Sequence, residues 1–178
     1  MDRIQIEIKL HRGRADALEA LAAMSEEDRR APRTRSEHDP DSWWSHADHF
    51  IHTTLIERRF NDMIRRHIAG EPAMDPNMVD ESGERLRDVK DIMAYVHNWT
   101  EGWKVENQDT PLDELVRIGC ETRADTLALL AQLTDEQLAS KIPGAPWADG
   151  VVGGIMAVHT DHTLMHQHWA AEGTPADA

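Results

Sequence analysis

A single cysteine in 178 residues, Cys120, excludes an internal disulfide framework. That scarcity fits a reducing, cytoplasmic location. Aromatic residues are also few, at 5%, and they are skewed towards tryptophan: six against two phenylalanines and one tyrosine. No apolar run approaches the about 20 residues that a membrane-spanning helix needs. The opening MDRIQIEIKL lacks the apolar core and cleavage site of a secretory signal. Positive charge is short as well. Nineteen Lys and Arg face 33 Asp and Glu, for a net charge of -14. Nucleic acids and anionic membrane surfaces both demand a basic footprint, so neither is expected as a partner. The nearest basic cluster, RRAPRTR at 29–35, reads as a solvated loop. Metal cations and small molecules remain compatible with such a chain.

The length suits one domain spanning 1–178, with 40% hydrophobic residues to build its core. Ile4, Ile6, Ile8 and Leu10 alternate as a strand would, yet Ala17, Leu18, Leu21 and Met24 follow at helical spacing. A strand there has no evident partner for its backbone, so the segment reads as helix throughout. Pro32 and Pro40 mark the loop that follows. A second helix is expected from about Asp41 to Ile68, stopped by Gly70 and Pro72. A shorter connecting helix follows around Leu86–Trp103. The third long helix begins at Thr110 as N-cap, with Pro111 in the first helical position and Asp113 and Glu114 near the positive dipole end. Thr134 and Gln137 form a capping-box pattern. The last helix runs from about Asp149 to Glu172. The fold class is therefore all-α, a four-helix bundle with an additional connecting helix. A faint repeat runs through it: SEEDRRAP leads across a proline loop to the helix bearing His52, and TDEQLASKIP leads likewise to the helix bearing His162.

The last helix holds four histidines in the ten residues HTDHTLMHQH. At about 100° per residue, Val151, Ile155, Val158, Met165 and Trp169 lie within roughly 60° of His162. His166 falls at about +40° and His159 at about +60°, whereas His168 points to solvent at about 240°. On the second helix, His52 lies mid-arc among Trp44, Ile51, Leu55, Ile56, Phe60 and Met63. His49 sits at the arc's edge, and His46 points away. One inward histidine on one helix and two or three on another suit a mononuclear metal site in a bundle core. Buried imidazoles need partners for their nitrogens, and a divalent cation takes a lone pair from each neutral ring. Three nitrogen ligands also leave a coordination position for water or substrate. The alternative is that the histidines are structural and bind no metal. Other metal templates fail: there is no H-E-x-x-H, no paired cysteines, and no E-x-x-H on two helices.

These residues resemble the DinB/YfiT-like superfamily, a group of four-helix bundles regarded as metal-dependent. It includes proteins like the mycothiol-dependent maleylpyruvate isomerase. HTTLIERRF resembles that family's histidine-then-Glu-Arg helix, with His52, Glu57 and Arg58 in register, and HTLMH resembles its C-terminal H-x-x-x-H. The stretch from Val96 to Leu138, with Asn98 and Arg123, resembles its connecting and third helices. The resemblance implies a divalent metal, nickel or zinc most often, held by His52, His162 and His166. It also implies a frequent homodimer and, in some members, a low-molecular-weight thiol cosubstrate. His159 and His49 are further candidate ligands that could shift the set by a turn.

Other polar residues fall near the same core. Arg123 sits among Leu115, Val116, Gly119, Leu127 and Leu130, so it needs either a structural carboxylate partner or an anionic ligand. Arg59, two turns after His52, could stand beside the metal or snorkel to water. Cys120 reads as a small core residue. Asn98, Trp99 and Trp103 read as packing near the site's mouth. The expected function is metal-dependent transfer of a thiol to a small molecule, or hydrolysis of one. The metal-bound hydroxide or His159 would serve as base. The alternative is a non-catalytic metal- or ligand-binding bundle or a stress-associated interaction protein, which His159 or a carboxylate closing the fourth position would favour.

Overall fold

The computed structural model describes residues 2–36, 39 and 41–174; Pro40, read as a loop marker, lies outside them. Four long helices, α1 (Arg3–Ala22), α3 (His46–Ile68), α5 (Leu112–Gln132) and α7 (Val152–Glu172), form the bundle. They pack in a ring, α1 against α5, α5 against α3, α3 against α7 and α7 against α1. The connecting helix α4 (Val89–Asn107) lies on α3. Two short helices, α2 (Glu26–Arg30) and α6 (Asp135–Ala139), follow α1 and α5 respectively. Ser25 caps the first and Thr134, in its capping box with Gln137, caps the second. The repeat seen in the sequence is thus a repeated plan of long helix, capped short helix, loop and histidine helix.

The N-terminal segment is helical from Arg3, started by an Asp2–Gln5 capping box. Its strand-like alternation is an accident of i, i+4 pairs. Ile6 and Leu10 face the core, while Ile4 and Ile8 face outward. Gly13 lets α7 approach, since a Cβ there would stand 2.6 Å from Thr160 Cγ2.

Three boundaries differ from expectation. Helix α3 begins at His46, not Asp41, because Trp43–Trp44 (β2) pairs antiparallel with Thr34–Arg35 (β1). Pro111 is the N-cap of α5 and Leu112 its first residue, so Thr110 lies one step outside. Helix α7 starts at Val152 after a turn in which Ala148, Asp149 and Gly150 all have positive φ. The basic segment 29–35 is also no solvated loop. Arg29 is buried and reaches the Leu21 carbonyl at 3.2 Å. Arg33 donates to the carbonyls of Ala170 and Ala171 at 2.9 Å, closing the end of α7. Its guanidinium groups satisfy helix C-termini, which have unpaired carbonyls to offer.

The core is divided. One apolar cluster gathers Ile6, Leu10, Phe60, Ile64, Leu129 and Ile155 with their neighbours; a smaller one gathers Ala17, Leu21, Ala47, Phe50, Ile51 and Leu115. A buried polar layer lies between them along α1, α3 and α5. Glu57 accepts from Arg14 Nη2 at 2.7 Å, from Arg123 Nε at 2.7 Å and Nη2 at 3.0 Å, and from Thr126 Oγ1 at 2.6 Å. Arg123 also donates to the Leu10 carbonyl, and Arg14 to Thr54 Oγ1 at 3.2 Å. Burial alone would raise the Glu57 carboxyl. His159, the Arg123 hydrogen bonds and the charges of Arg123 and Arg14 reverse that and hold it at about 2. His159 helps only when protonated, which its own burial opposes, so near neutral pH the two guanidiniums carry the effect.

Removing the carboxylate would leave two guanidiniums buried without a counter-charge. Glu57→Gln is expected to cost about 3–5 kcal/mol of stability in denaturant unfolding. The carboxyl pKa is depressed in the folded state, so its stabilisation is complete above about 4.5 and is lost as pH falls towards about 2. Wild-type stability should therefore decline more steeply than the variant's over that window. An unchanged denaturation midpoint in Glu57→Gln would contradict this.

Candidate metal centre

His52 projects from α3, and His162 and His166 project one turn apart from α7. Each offers a ring nitrogen, and the three nitrogens lie within 4.8 Å of one another. The ring centroids are 5.2 Å apart for His52 and His162, and 4.5 Å for each of the other two pairs. His162 Nε2 and His166 Nε2 are separated by 3.0 Å. Two nitrogens on one tetrahedral zinc, with bonds of about 2.0–2.1 Å, stand about 3.3 Å apart, so little movement is needed. His52 Nδ1 is buried without a hydrogen-bond partner among the described residues. An orphaned imidazole nitrogen beside two others is a cost that a cation relieves.

Electrostatics favour the neutral ligand form. Burial lowers His162 to about 4. Burial, followed by repulsion from neighbouring imidazoles, pushes His52 and His166 well below the ordinary histidine range. All three rings therefore keep their lone pairs at neutral pH.

His49 stands behind His166, with Nδ1 2.8 Å from His166 Nδ1 and Nε2 2.7 Å from Thr34 Oγ1. If His166 uses Nε2 as a ligand, its Nδ1–H donates to His49 Nδ1, and His49 Nε2–H donates to Thr34. That chain would fix the tautomer and orientation of His166, as partners of metal-bound histidines do. Trp44 covers the group, its ring 4.9 Å from His52 and 6.2 Å from His166. Trp44 Nε1 donates to Glu101 Oε1 at 2.6 Å, and Ser42 Oγ donates to Glu101 Oε2 at 2.9 Å. Glu101 thereby anchors α4 across the site. Neither Glu101 nor the bond it accepts has a sequence signal, because the partners lie 57 and 59 residues apart.

Two cavities meet at the histidines. One, of about 340 Å³, runs between α3, α4 and the 73–78 loop; the other, of about 360 Å³, lies beneath β1 and β2. Both are lined by His52, His162, Met93 and Val96. His97 lines the second and approaches Glu101 Oε1 at 3.6 Å, an i, i+4 pairing whose place beside the site has no signal in the sequence.

His159 is buried against Phe60, centroids 5.3 Å apart, with neither ring nitrogen hydrogen-bonded among the described residues. It stands outside the three-histidine group and lines neither of those cavities. Arg59 lines the first cavity, its guanidinium 4.9 Å above the Trp99 ring. Arg123 is fully engaged by Glu57 and the Leu10 carbonyl, so it is a structural ion pair. Cys120 is exposed, not core, because it falls just off α5's inner stripe of Ile118, Gly119 and Thr122. Met165 and Trp169 are also exposed; they border the second cavity instead of filling the core. Trp103 packs on the smaller apolar cluster, and Asn98 is exposed.

Three imidazoles from two helices, opening onto two cavities, define a helical bundle with a candidate metal centre. The chain belongs to the DinB superfamily, whose family model matches residues 9–170. No curated protein and no solved structure matches it. Among the described residues, no helix is long and apolar enough to cross a membrane.

Proposed function

We propose that this protein is a divalent-metal-dependent enzyme acting on a small molecule, with His52, His162 and His166 as ligands. The observation that carries the reading is the convergence of three neutral ring nitrogens within 4.8 Å where two cavities meet. Zinc or nickel suits an all-imidazole donor set. When bound, such a cation supplies Lewis acidity and a lowered pKa for a water or thiol in its open position. An open position is supported because neither His159 nor a carboxylate joins the group among the described residues. That distinguishes the enzyme reading from a closed, non-catalytic binding site.

The protein's own groups have definable parts. With His166 Nε2 as ligand, His49 Nδ1 accepts a hydrogen bond from His166 Nδ1–H and holds that ring in place. Trp44, Met93 and Val96 give the site apolar walls. Two cavities reaching the same histidines favour a transfer between two substrates, such as a low-molecular-weight thiol and its acceptor, over hydrolysis of one.

Elemental analysis of tag-free protein should find about one equivalent of metal, the content of a mononuclear site. His52→Ala and His162→Ala should each lose it. No metal in wild-type protein, even after reconstitution, would sink the proposal. His49→Phe should keep the stoichiometry but weaken metal affinity about 10–100-fold. His49→Gln, which can still accept from His166, should recover part of that loss. Wild-type affinity in His49→Phe would mean that His49 does not orient the ligand.

A further inference from the structure

The first cavity has an uneven lining. Its walls include Ile56, Phe60, Met63, Met74, Met78 and Trp99, while His52 and His162 stand at one end. Its volume of about 340 Å³ is at the small end of ligand pockets. Cationic side chains also reach this cavity. Arg59 lies seven residues after His52 on α3, two turns and about 10 Å further along.

Several arginines of this protein are committed to carboxylates, and Arg59 is not among them. Arg14, Arg29, Arg65, Arg117 and Arg123 each hold a carboxylate. Arg59 makes no ion pair or side-chain hydrogen bond among the described residues; its defined contact is the Trp99 ring. Arg59 is exposed, and its contact with the Trp99 ring holds the charge at the cavity's border while leaving N–H donors available. The acidic groups lining this cavity are otherwise engaged. Asp62 is 3.7 Å from Arg65, and Asp75 accepts the Tyr95 hydroxyl at 3.1 Å. Guanidinium donors at the border of a largely apolar cavity match a carboxylate on an apolar body.

We propose that the α3–α4 cavity binds a small carboxylic acid with an aryl or alkyl body, its carboxylate on Arg59 and its far end directed towards His52 and His162. As a substrate assignment this rests on the metal-centre reading, but the binding itself needs no metal. The body lies against the Met63, Met78 and Trp99 side chains. Discrimination comes from Arg59, because an uncharged head forgoes the charge-assisted pairing with the guanidinium. Arg66 also lines the cavity, but it is two further turns from the histidines and serves as the internal control.

The test is calorimetric titration with 4-phenylbutyrate and with 4-phenylbutanol, which shares its body without the charge. Both are run on metal-stripped protein in the presence of chelator, so that a carboxylate bound to metal cannot imitate the effect. Wild-type protein should bind the acid at least about tenfold more tightly than the alcohol, the scale of one charge-assisted contact. Arg59→Gln should abolish that preference while leaving alcohol affinity unchanged, and Arg66→Gln should retain it. Equal affinities in wild type, a preference that survives Arg59→Gln, a preference carried by Arg66, or no binding of either probe would overturn the proposal. Metal content is measured separately on untreated protein. A failure of the metal centre is thereby distinguished from a failure of the carboxylate site.

Discussion

The Glu57 carboxylate, buried between Arg14 and Arg123, is the interaction on which the rest of the structure depends. It ties α1, α3 and α5 at one level, with Thr126 taking a further lone pair. A buried charge tolerates little error in the position of its partners, so this layer joins three helices at one level. The two apolar clusters on either side would accept sliding more readily, since apolar contact is non-directional. His52 lies five residues before Glu57 on α3, and its place in the bundle is inherited from that anchor.

The site works under the opposite constraint. Charge is gathered in the Glu57 layer, but protonation must be avoided where the imidazoles meet. Burial keeps His52, His162 and His166 neutral, reinforced at His52 and His166 by repulsion from neighbouring imidazoles. Neutral imidazoles supply both lone pairs and N–H donors, and His49 Nδ1 stands 2.8 Å from His166 Nδ1, where it would accept that donor if His166 Nε2 is the ligand. A cation would take up the facing lone pairs. Trp44, held by Glu101, covers the assembly, and α4 is thereby joined to the histidine helices. The two cavities then give access from different sides.

Helical periodicity made the bundle and the three converging histidines legible, because i, i+4 spacing on one helix is a local property. The Thr134–Gln137 capping box was legible for the same reason. What escaped the sequence depends on distant partners. Trp44 was assigned to a helix, but it sits in a two-residue strand whose mate is ten residues upstream. Glu101 and His97 gained importance only when α4 was laid across α3. Arg29 and Arg33 looked like solvated charge until the carbonyl ends of α1 and α7 appeared beside them. Met165 and Trp169 met the angular test for core residues, yet they are exposed and border a cavity. An angle on a helical wheel gives a direction, whereas burial also requires a neighbour in that direction.

Cobalt(II) substitution tests the central claim most directly. Visible absorption would report nitrogen ligation and an open coordination position together. The account predicts intense d–d bands from a four- or five-coordinate ion, a spectrum that changes when a small thiol is added, and their loss in His166→Ala. Bands that persist in His166→Ala, or a wild-type spectrum no different from the hydrated ion, would contradict a metal centre at these three histidines.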